Sequence, residues 1–175
     1  MNILRTLEVF FREPRTQHYF REIVRKSKVS PNLVQKEIKY LLKQNLIVKK
    51  EEKANIKFYS ANRTLNEFIE LKRIYNLYLI SQSNLINFLV NKLSPNSIIL
   101  FGSFNSGTDI EESDIDLFIS LEKSSEVSAK DLKKFETLLN KKISLHIITN
   151  FKRLSSEFKN NVVNGTVLYG YLKGF

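Results

Sequence analysis

Two residue pairs in the middle of the chain have the types and spacing needed to hold a phosphate and a metal ion. In SIILFGSFNSGTDIEESDIDLFIS (97–120), Gly102-Ser103 follows one apolar run, and Asp114 and Asp116 accompany a second. Residues two apart on a strand point to the same face, so the two carboxylates are expected side by side. Paired carboxylates on a buried strand are costly unless a cation joins them, and Mg²⁺ or Mn²⁺ prefers such oxygen ligands. A Gly-Ser turn that opens a helix offers backbone N–H groups and a hydroxyl to a phosphate.

The patterns around these residues predict the elements that position them. Residues 97–101 read as a buried strand, and the run that carries the aspartates reads as a second strand. A helix capped by Ser128 is expected next, followed by a third strand at 143–149 and a last helix at 155–164. The chain after Pro95 is therefore predicted to form an α/β domain.

The motif G-S-x10-D-x-D is specific, because at usages of about 5% it matches by chance on the order of once in 10^5 positions. Its spacing and flanking strands resemble the minimal nucleotidyltransferases of the DNA polymerase β-like superfamily, over about residues 97–171. The resemblance implies a minimal nucleotidyltransferase fold with a small mixed sheet. It also implies that Gly102 and Ser103 bind a nucleoside triphosphate, with ATP expected, and that Asp114 and Asp116 are catalytic residues that hold Mg²⁺ or Mn²⁺. The metal would polarise the α-phosphate for attack by an acceptor hydroxyl, with pyrophosphate leaving.

Two positions depart from the pattern of this family. Active members usually carry a third carboxylate on the strand at 143–149, where the matching face here presents Ser144 and His146. His146 is a candidate catalytic residue because an unperturbed imidazole titrates at about pH 6.5 and can accept a proton. A strand histidine with a satisfied hydrogen bond is the plainer alternative. The Arg or Lys often found between the Ser and the next Gly is absent from residues 104–106. A slow transferase and a nucleotide sensor are both open.

The N-terminal third of the chain is basic and has the pattern of a DNA-binding unit. Residues 1–60 hold 14 Lys and Arg against 6 Asp and Glu, whereas residues 61–175 hold 14 against 12. Periodicity predicts three helices, the third with Ser30 as N-cap, followed by two short strands. This order resembles the winged helix-turn-helix family, whose third helix enters the major groove of duplex DNA. The resemblance implies DNA contacts from the third helix and the hairpin, through Asn32, Gln35, Lys36, Lys39, Lys43, Lys49, Lys50 and Lys53. The alternative is a small packing or dimerisation module with a solvated lysine face.

A helical segment without Gly or Pro joins the two parts. It is predicted to be one long helix or two helices broken near residues 81–83, and its apolar positions spread over more than one face. Such a segment is expected to pack between domains or to form a homodimer interface. The predicted architecture is an α+β chain of two domains: a winged helix-turn-helix at 1–62, a helical connector at 63–94 and the minimal nucleotidyltransferase domain at 95–175.

Composition and resemblance together narrow the functional classes. The chain has no Cys, which excludes disulfides and thiolate metal sites. It has no leader pattern and no apolar window of membrane-spanning length, so the cytoplasm is the expected compartment and no membrane partner is expected.

The leading hypothesis is a DNA-binding protein with a Mg²⁺-dependent nucleotidyltransferase domain that transfers a nucleotide to an acceptor hydroxyl. Relatives in this family include some that modify a partner protein such as a HEPN-type toxin, which implies an antitoxin-like role. The alternative is a transcriptional regulator whose transferase-like domain is a non-catalytic nucleotide sensor or dimerisation module. An antibiotic-modifying transferase is disfavoured because it has no need of a basic DNA-binding unit.

Overall fold

The computed structural model describes residues 5–52, 56–123, 125–151 and 154–172. The chain divides into two compact units, residues 1–72 and 73–175. This division runs through the segment that the sequence assigns to the helical connector.

The first unit consists of three helices and a three-stranded antiparallel sheet. Its elements are α1 Arg5–Arg12, β1 His18–Tyr19, α2 Phe20–Ser27, α3 Pro31–Lys43, β2 Ile47–Glu52 and β3 Ile56–Ala61. The sheet has the order β1-β3-β2, with β3 in the centre. Strand β1 is too short to be predicted from its sequence pattern, and it pairs with β3 through His18 opposite Tyr59. The core of this unit contains Phe10, Ile23, Val34, Leu41 and Phe58.

Helix α3 presents one apolar stripe to that core. It begins at Pro31, where the missing N–H costs nothing because first-turn donors have no intrahelical partner. Leu42 is only partly buried. Glu37 of the same helix is buried, and its Oε2 accepts a hydrogen bond from the backbone N–H of Thr6 at 3.2 Å. The helix therefore uses a carboxylate to satisfy the first turn of α1.

The predicted connector is two helices rather than one. Helix α4 spans Asn66–Ser83 and helix α5 spans Leu85–Leu93. The break falls at Asn84, which has a positive φ of 62°, directly after the predicted position at 81–83. The apolar residues of α5 lie in the hydrophobic core of the second unit: Leu85, Leu89 and Leu93. No helix within the described ranges is both long and apolar enough to cross a membrane.

The second unit is built on a four-stranded mixed sheet. Its remaining elements are β4 Ser97–Phe101, α6 Gly102–Ser106, β5 Ile115–Ser120, α7 Ala129–Leu139, β6 Ile143–Ile148, α8 Ser156–Val163 and β7 Thr166–Gly170. The strand order is β6-β5-β4-β7. Strand β4 is antiparallel to both neighbours, whereas β5 and β6 are parallel and are connected through α7. The predicted small mixed sheet is confirmed, and β7 is an additional strand that the sequence pattern did not predict.

Different helices cover the two faces of this sheet. One face of β5 contributes Ile115, Leu117 and Ile119 to a core with α5 and α7. The opposite face contributes Phe118 to a smaller cluster that includes Val162 of α8. Because side chains alternate along a strand, Asp116 belongs to the face that carries Phe118. The candidate site therefore lies on the α8 side of the sheet.

Candidate active site

Strand pairing places the Gly-Ser turn against the second aspartate. Strands β4 and β5 are antiparallel with Phe101 opposite Asp116, so Gly102 follows directly beside the carboxylate. Gly102 has a φ of +72°, and a Cβ built on it would lie 2.6 Å from the Oδ2 of Asp116. Glycine is therefore favoured twice, by the backbone conformation and by the position of the carboxylate. The two motifs that the sequence singles out are neighbours in space.

Asp114 stands one residue before strand β5. The strand begins at Ile115, whose N–H donates to the backbone carbonyl of Lys142 at 2.8 Å. The prediction that both aspartates lie within the strand is therefore wrong by one residue, because the ladder of hydrogen bonds starts after Asp114. Its side chain is partly buried at the entrance to the strand.

Burial and neighbouring charges shift the pKa of Asp116 in opposite directions. Its side chain is 28% exposed. Burial raises the pKa of Asp116, the interaction with His146 lowers it, and the negative charge of Asp114 raises it again, so that the net direction is upward. The two carboxylates therefore lie close enough to repel each other, which is the arrangement that a bound cation relieves.

His146 is the side chain of strand β6 that approaches Asp116. The β5–β6 register places Ser144 opposite Asp116 and His146 opposite Phe118. The Nε2 of His146 lies 3.6 Å from the Oδ1 of Asp116, and its ring contacts Phe101 and Phe158 with centroid distances of 5.2 and 5.3 Å. The imidazole is thus held between two aromatic rings beside the carboxylate.

The residues between Ser103 and Gly107 contribute to packing and carry no positive charge that could offset a bound phosphate. Phe104 is buried in the core, and Asn105 is buried with its Oδ1 accepting a hydrogen bond from the hydroxyl of Thr166 at 2.6 Å. Ser106 donates from its hydroxyl to the backbone carbonyl of Ser103 at 3.1 Å. Ser103 is partly buried, and its backbone carbonyl also accepts a hydrogen bond from the N–H of Thr108 at 3.1 Å.

A buried ion pair, which sequence reasoning missed, supports the loop that carries Asp114. The Nζ of Lys141 lies 3.4 Å from the Oδ2 of Asp109, and the two side chains are 9% and 2% exposed. The ammonium also donates to the backbone carbonyls of the two residues that follow Asp109. Asn76 donates to the Oδ1 of Asp109 at 2.7 Å. No local sequence signal indicates this cluster, because its members come from three distant segments.

An open cavity of about 550 Å³ adjoins Asp114. It is lined by the loop at 111–114 and by the end of α7 with the connection to β6, including Lys133, Lys141 and Lys142. Asp116 is not part of the lining, so the cavity lies on the Asp114 side of the carboxylate pair. Its lining holds four acidic residues, Glu111, Glu112, Asp114 and Glu136, against those three lysines, so its charge does not favour an anionic ligand.

The carboxylate pair fits a divalent cation in ligand type. Among the described residues, no Lys or Arg forms an ion pair with Asp114 or Asp116, and the interaction of Asp116 with a basic side chain is that with His146. Within the same ranges, the group of three ligand atoms that all lie within 4.8 Å of one another is in the first unit, not here. A cation at the pair would therefore complete its coordination with oxygen atoms of substrate phosphates or water.

The residues predicted to contact DNA are exposed on the first unit. On α3 these are Asn32, Gln35, Lys36, Lys39 and Lys43. On β2, Lys50 is exposed, and Lys49 is exposed with its Nζ 2.7 Å from the Oε1 of Glu51. Lys53 lies outside the described residues. DNA contact by this surface stays a prediction.

Comparison with protein families identifies the second unit. Residues 83–169 match the family described as nucleotidyltransferase domain. No match is found among curated proteins or among solved structures. The match supports a nucleotidyltransferase domain over residues 83–169 and, with it, nucleotide transfer as the general activity of this part of the chain.

Proposed function

We propose that this nucleotidyltransferase domain transfers a nucleotide from a nucleoside triphosphate, with ATP expected, to an acceptor hydroxyl in a reaction that depends on Mg²⁺ or Mn²⁺. The observation that carries the proposal is the adjacency of Gly102 to the Asp116 carboxylate, with Asp114 close enough to affect its pKa. This chemistry requires a phosphate-binding backbone close to metal-binding carboxylates, and the short distance between Gly102 and Asp116 supports these roles.

Each residue of the site has a role that follows from its position. The carboxylates of Asp114 and Asp116 would hold the cation, which when bound makes the α-phosphate more electrophilic and offsets the charge of the phosphates. The backbone at Gly102 and the hydroxyl of Ser103 bind and orient the triphosphate. His146 accepts the proton of the acceptor hydroxyl, a role that typically contributes about 10²–10⁴ in rate.

The direct test measures release of pyrophosphate and transfer of label from ATP radiolabelled at the α-phosphate, with Mg²⁺ or Mn²⁺. Wild type is compared with Asp114→Asn/Asp116→Asn and with Glu122→Gln, an exposed acidic residue near the end of β5. We expect transfer by wild type and Glu122→Gln and loss of transfer in the double variant. Equal transfer by all three proteins would contradict the proposed site.

A second candidate function is nucleotide sensing without transfer. It is favoured by His146, which stands on the face where active members of the family usually carry a third carboxylate. A sensor would bind ATP in a cation-dependent way, measurable by calorimetry, and the double variant would lose that binding while wild type releases no pyrophosphate. The same set of proteins therefore distinguishes the two functions.

We further propose that the first unit is a winged helix-turn-helix that binds duplex DNA, supported by the exposed lysines of α3 and β2. Each phosphate contact contributes about 0.9 to the slope of log K against log salt, so Lys36→Ala/Lys39→Ala should weaken binding and lower the slope by about 1.8. The matched control is Lys123→Ala/Lys130→Ala, which removes the same charge from exposed positions of the second unit. Equal loss in both variants would indicate a general charge effect and refute the proposed surface.

The acceptor of the proposed reaction would be a hydroxyl group of a partner protein, with a HEPN-type toxin as the expected class. This idea depends on the family resemblance alone. A homodimer through the helical connector is the corresponding proposal for self-association. Both are tested by incubating the labelled reaction with a candidate toxin and by measuring the mass of the purified chain in solution.

A further inference from the structure

A cluster of two carboxylates, an imidazole and an ammonium lies in the first unit, away from the proposed DNA-contacting lysines in the sequence. Glu13 follows helix α1, His18 begins strand β1, and Glu22 and Lys26 lie one turn apart on α2. Each of the two glutamates and His18 offers one ligand atom, and these three atoms all lie within 4.8 Å of one another. The cluster thus joins three separate segments of the unit.

His18 is the unusual member of this cluster. Its side chain is completely buried, and neither ring nitrogen has a hydrogen-bond partner. The Nε2 lies 3.9 Å from the Oε2 of Glu13, and the Nδ1 lies 3.6 Å from the Oε1 of Glu22. Buried polar atoms are nearly always hydrogen-bonded or bound to a metal. An imidazole that faces two carboxylates at these distances points to a cation as its partner.

The carboxylates already converge on one cationic group. The Nζ of Lys26 lies 2.5 Å from the Oε2 of Glu13 and 2.7 Å from the Oε1 of Glu22. Burial lowers the pKa of Lys26, but its hydrogen bonds to the two glutamates outweigh burial and raise it. An ammonium has only donors and satisfies the carboxylates; it makes no hydrogen bond to His18. A divalent cation in its place would be shared by all three side chains.

We propose that Glu13, His18 and Glu22 form a binding site for a first-row divalent cation of the Zn²⁺ type, which displaces the ammonium of Lys26. One imidazole with two carboxylates is a mixed nitrogen and oxygen ligand set, and imidazole favours Zn²⁺ and its neighbours over Mg²⁺ or Ca²⁺. Tetrahedral bonds of 2.0–2.1 Å separate ligand atoms by about 3.4 Å. With one ligand atom from each residue, the three atoms lie within 4.8 Å of one another, so they would have to approach each other by up to about 1.4 Å to reach that value.

Lys26 competes with the cation for the carboxylates of Glu13 and Glu22. The proposal therefore predicts opposite changes in cation affinity for two kinds of variant. Removing a ligand weakens binding of the cation, whereas removing Lys26 strengthens it. A variant that merely disturbs the fold would not strengthen binding. This opposite sign separates the proposed site from general destabilisation, and it does not depend on whether the second unit transfers nucleotides.

The test uses the full chain carrying Asp114→Asn/Asp116→Asn, which removes the other candidate cation site. Zn²⁺ is titrated by calorimetry, and Co²⁺ is used as a probe because its visible absorption reports coordination. We expect one ion per chain, about tenfold or greater weakening by Glu13→Gln or Glu22→Gln, and about tenfold or greater strengthening by Lys26→Met. Glu8→Gln, which changes a half-buried carboxylate paired with Arg12, should bind as the parent does.

Circular dichroism establishes that each variant is folded before titration. Absence of saturable binding at one ion per chain would overturn the proposal. Equal affinity in the parent, Glu13→Gln and Glu22→Gln would overturn it as well, since the ion would then lie elsewhere. Failure of a folded Lys26→Met variant to bind more tightly would refute the displacement of the ammonium.

Discussion

Replacing Gly102 by Ala perturbs the candidate site at its most constrained point. The substitution adds one methyl group at a residue whose φ is +72°. That methyl would lie 2.6 Å from the Oδ2 of Asp116, whereas ordinary contacts of this kind begin near 3.4 Å. The carboxylate must therefore move by about 1 Å or the backbone must shift.

The free-energy cost of Gly102→Ala has two parts, one from the backbone and one from the Asp116 side chain. A positive φ costs an alanine about 1–2 kcal/mol relative to a glycine. Moving the Asp116 side chain away from its rotamer costs about 0.5–1.5 kcal/mol, a modest value because the side chain is 28% exposed and has room to move. Gly102→Ala should therefore lower the free energy of unfolding by about 1.5–3.5 kcal/mol in total. A carboxylate displaced by 1 Å should also reduce nucleotide transfer by about 10²-fold.

A double-mutant cycle measured by urea unfolding tests this division. In Asp116→Ala the carboxylate is gone, so Gly102→Ala should cost only the backbone part, and the coupling between the two positions should be about 0.5–1.5 kcal/mol. An equal cost of Gly102→Ala in both backgrounds would refute the contact with Asp116. Unchanged transfer in Gly102→Ala would refute the claim that this contact positions the carboxylate for chemistry.

Three further outcomes follow from the second unit. Folding raises the pKa of Asp116, so the ionised carboxylate destabilises the folded protein above that pKa. Asp116→Asn should therefore increase the free energy of unfolding at pH 7. Urea unfolding should show that this increase disappears below pH 3.8, the ordinary pKa of an aspartate. Lys141→Met leaves a carboxylate buried without its ammonium and should lower the free energy of unfolding by about 3–5 kcal/mol, whereas Lys142→Met, at an exposed neighbour, should change it by less than about 0.5 kcal/mol. Ser155→Ala removes the hydroxyl that accepts from the first turn of α8 and should cost about 1 kcal/mol in thermal unfolding; an equal cost for Ser156→Ala would argue against the cap.

Local pattern was enough to predict the elements around the carboxylate pair. The apolar runs at 97–101 and 115–119 are short, rich in β-branched and aromatic residues, and separated by a Gly-Ser turn, which is a strong strand signal. The sequence predicts Ser128 as an N-cap and a last helix at 155–164, and the side chains of Ser128 and Ser155 both accept a hydrogen bond from the first turn of their helices. These features depend on residues close to each other in the chain, so they can be predicted from the local sequence.

Pairings between distant residues could not be predicted in this way. Strand β1 has two residues, too few to show alternation, and it exists because His18 pairs with Tyr59 of β3. Strand β7 adds to β4 although Val167 and Tyr169 remain exposed, so burial leaves a weak pattern in its sequence. The ion pair of Asp109 with Lys141 likewise depends on the topology of the sheet. Each of these features needs the fold before it can be recognised.

The position of His146 beside Asp116 bears on the electrostatics of that carboxylate. A third carboxylate on this face would add a like charge and raise the pKa of Asp116 further, and only a cation could offset it. His146 acts in the opposite direction, because its interaction lowers the pKa of Asp116 against the effect of burial. It lies between Phe101 and Phe158, which fixes the ring beside the Oδ1 of Asp116. The imidazole therefore lies beside the Oδ1 of Asp116, where its neutral form could accept the proton of an acceptor hydroxyl, as the proposed transfer requires.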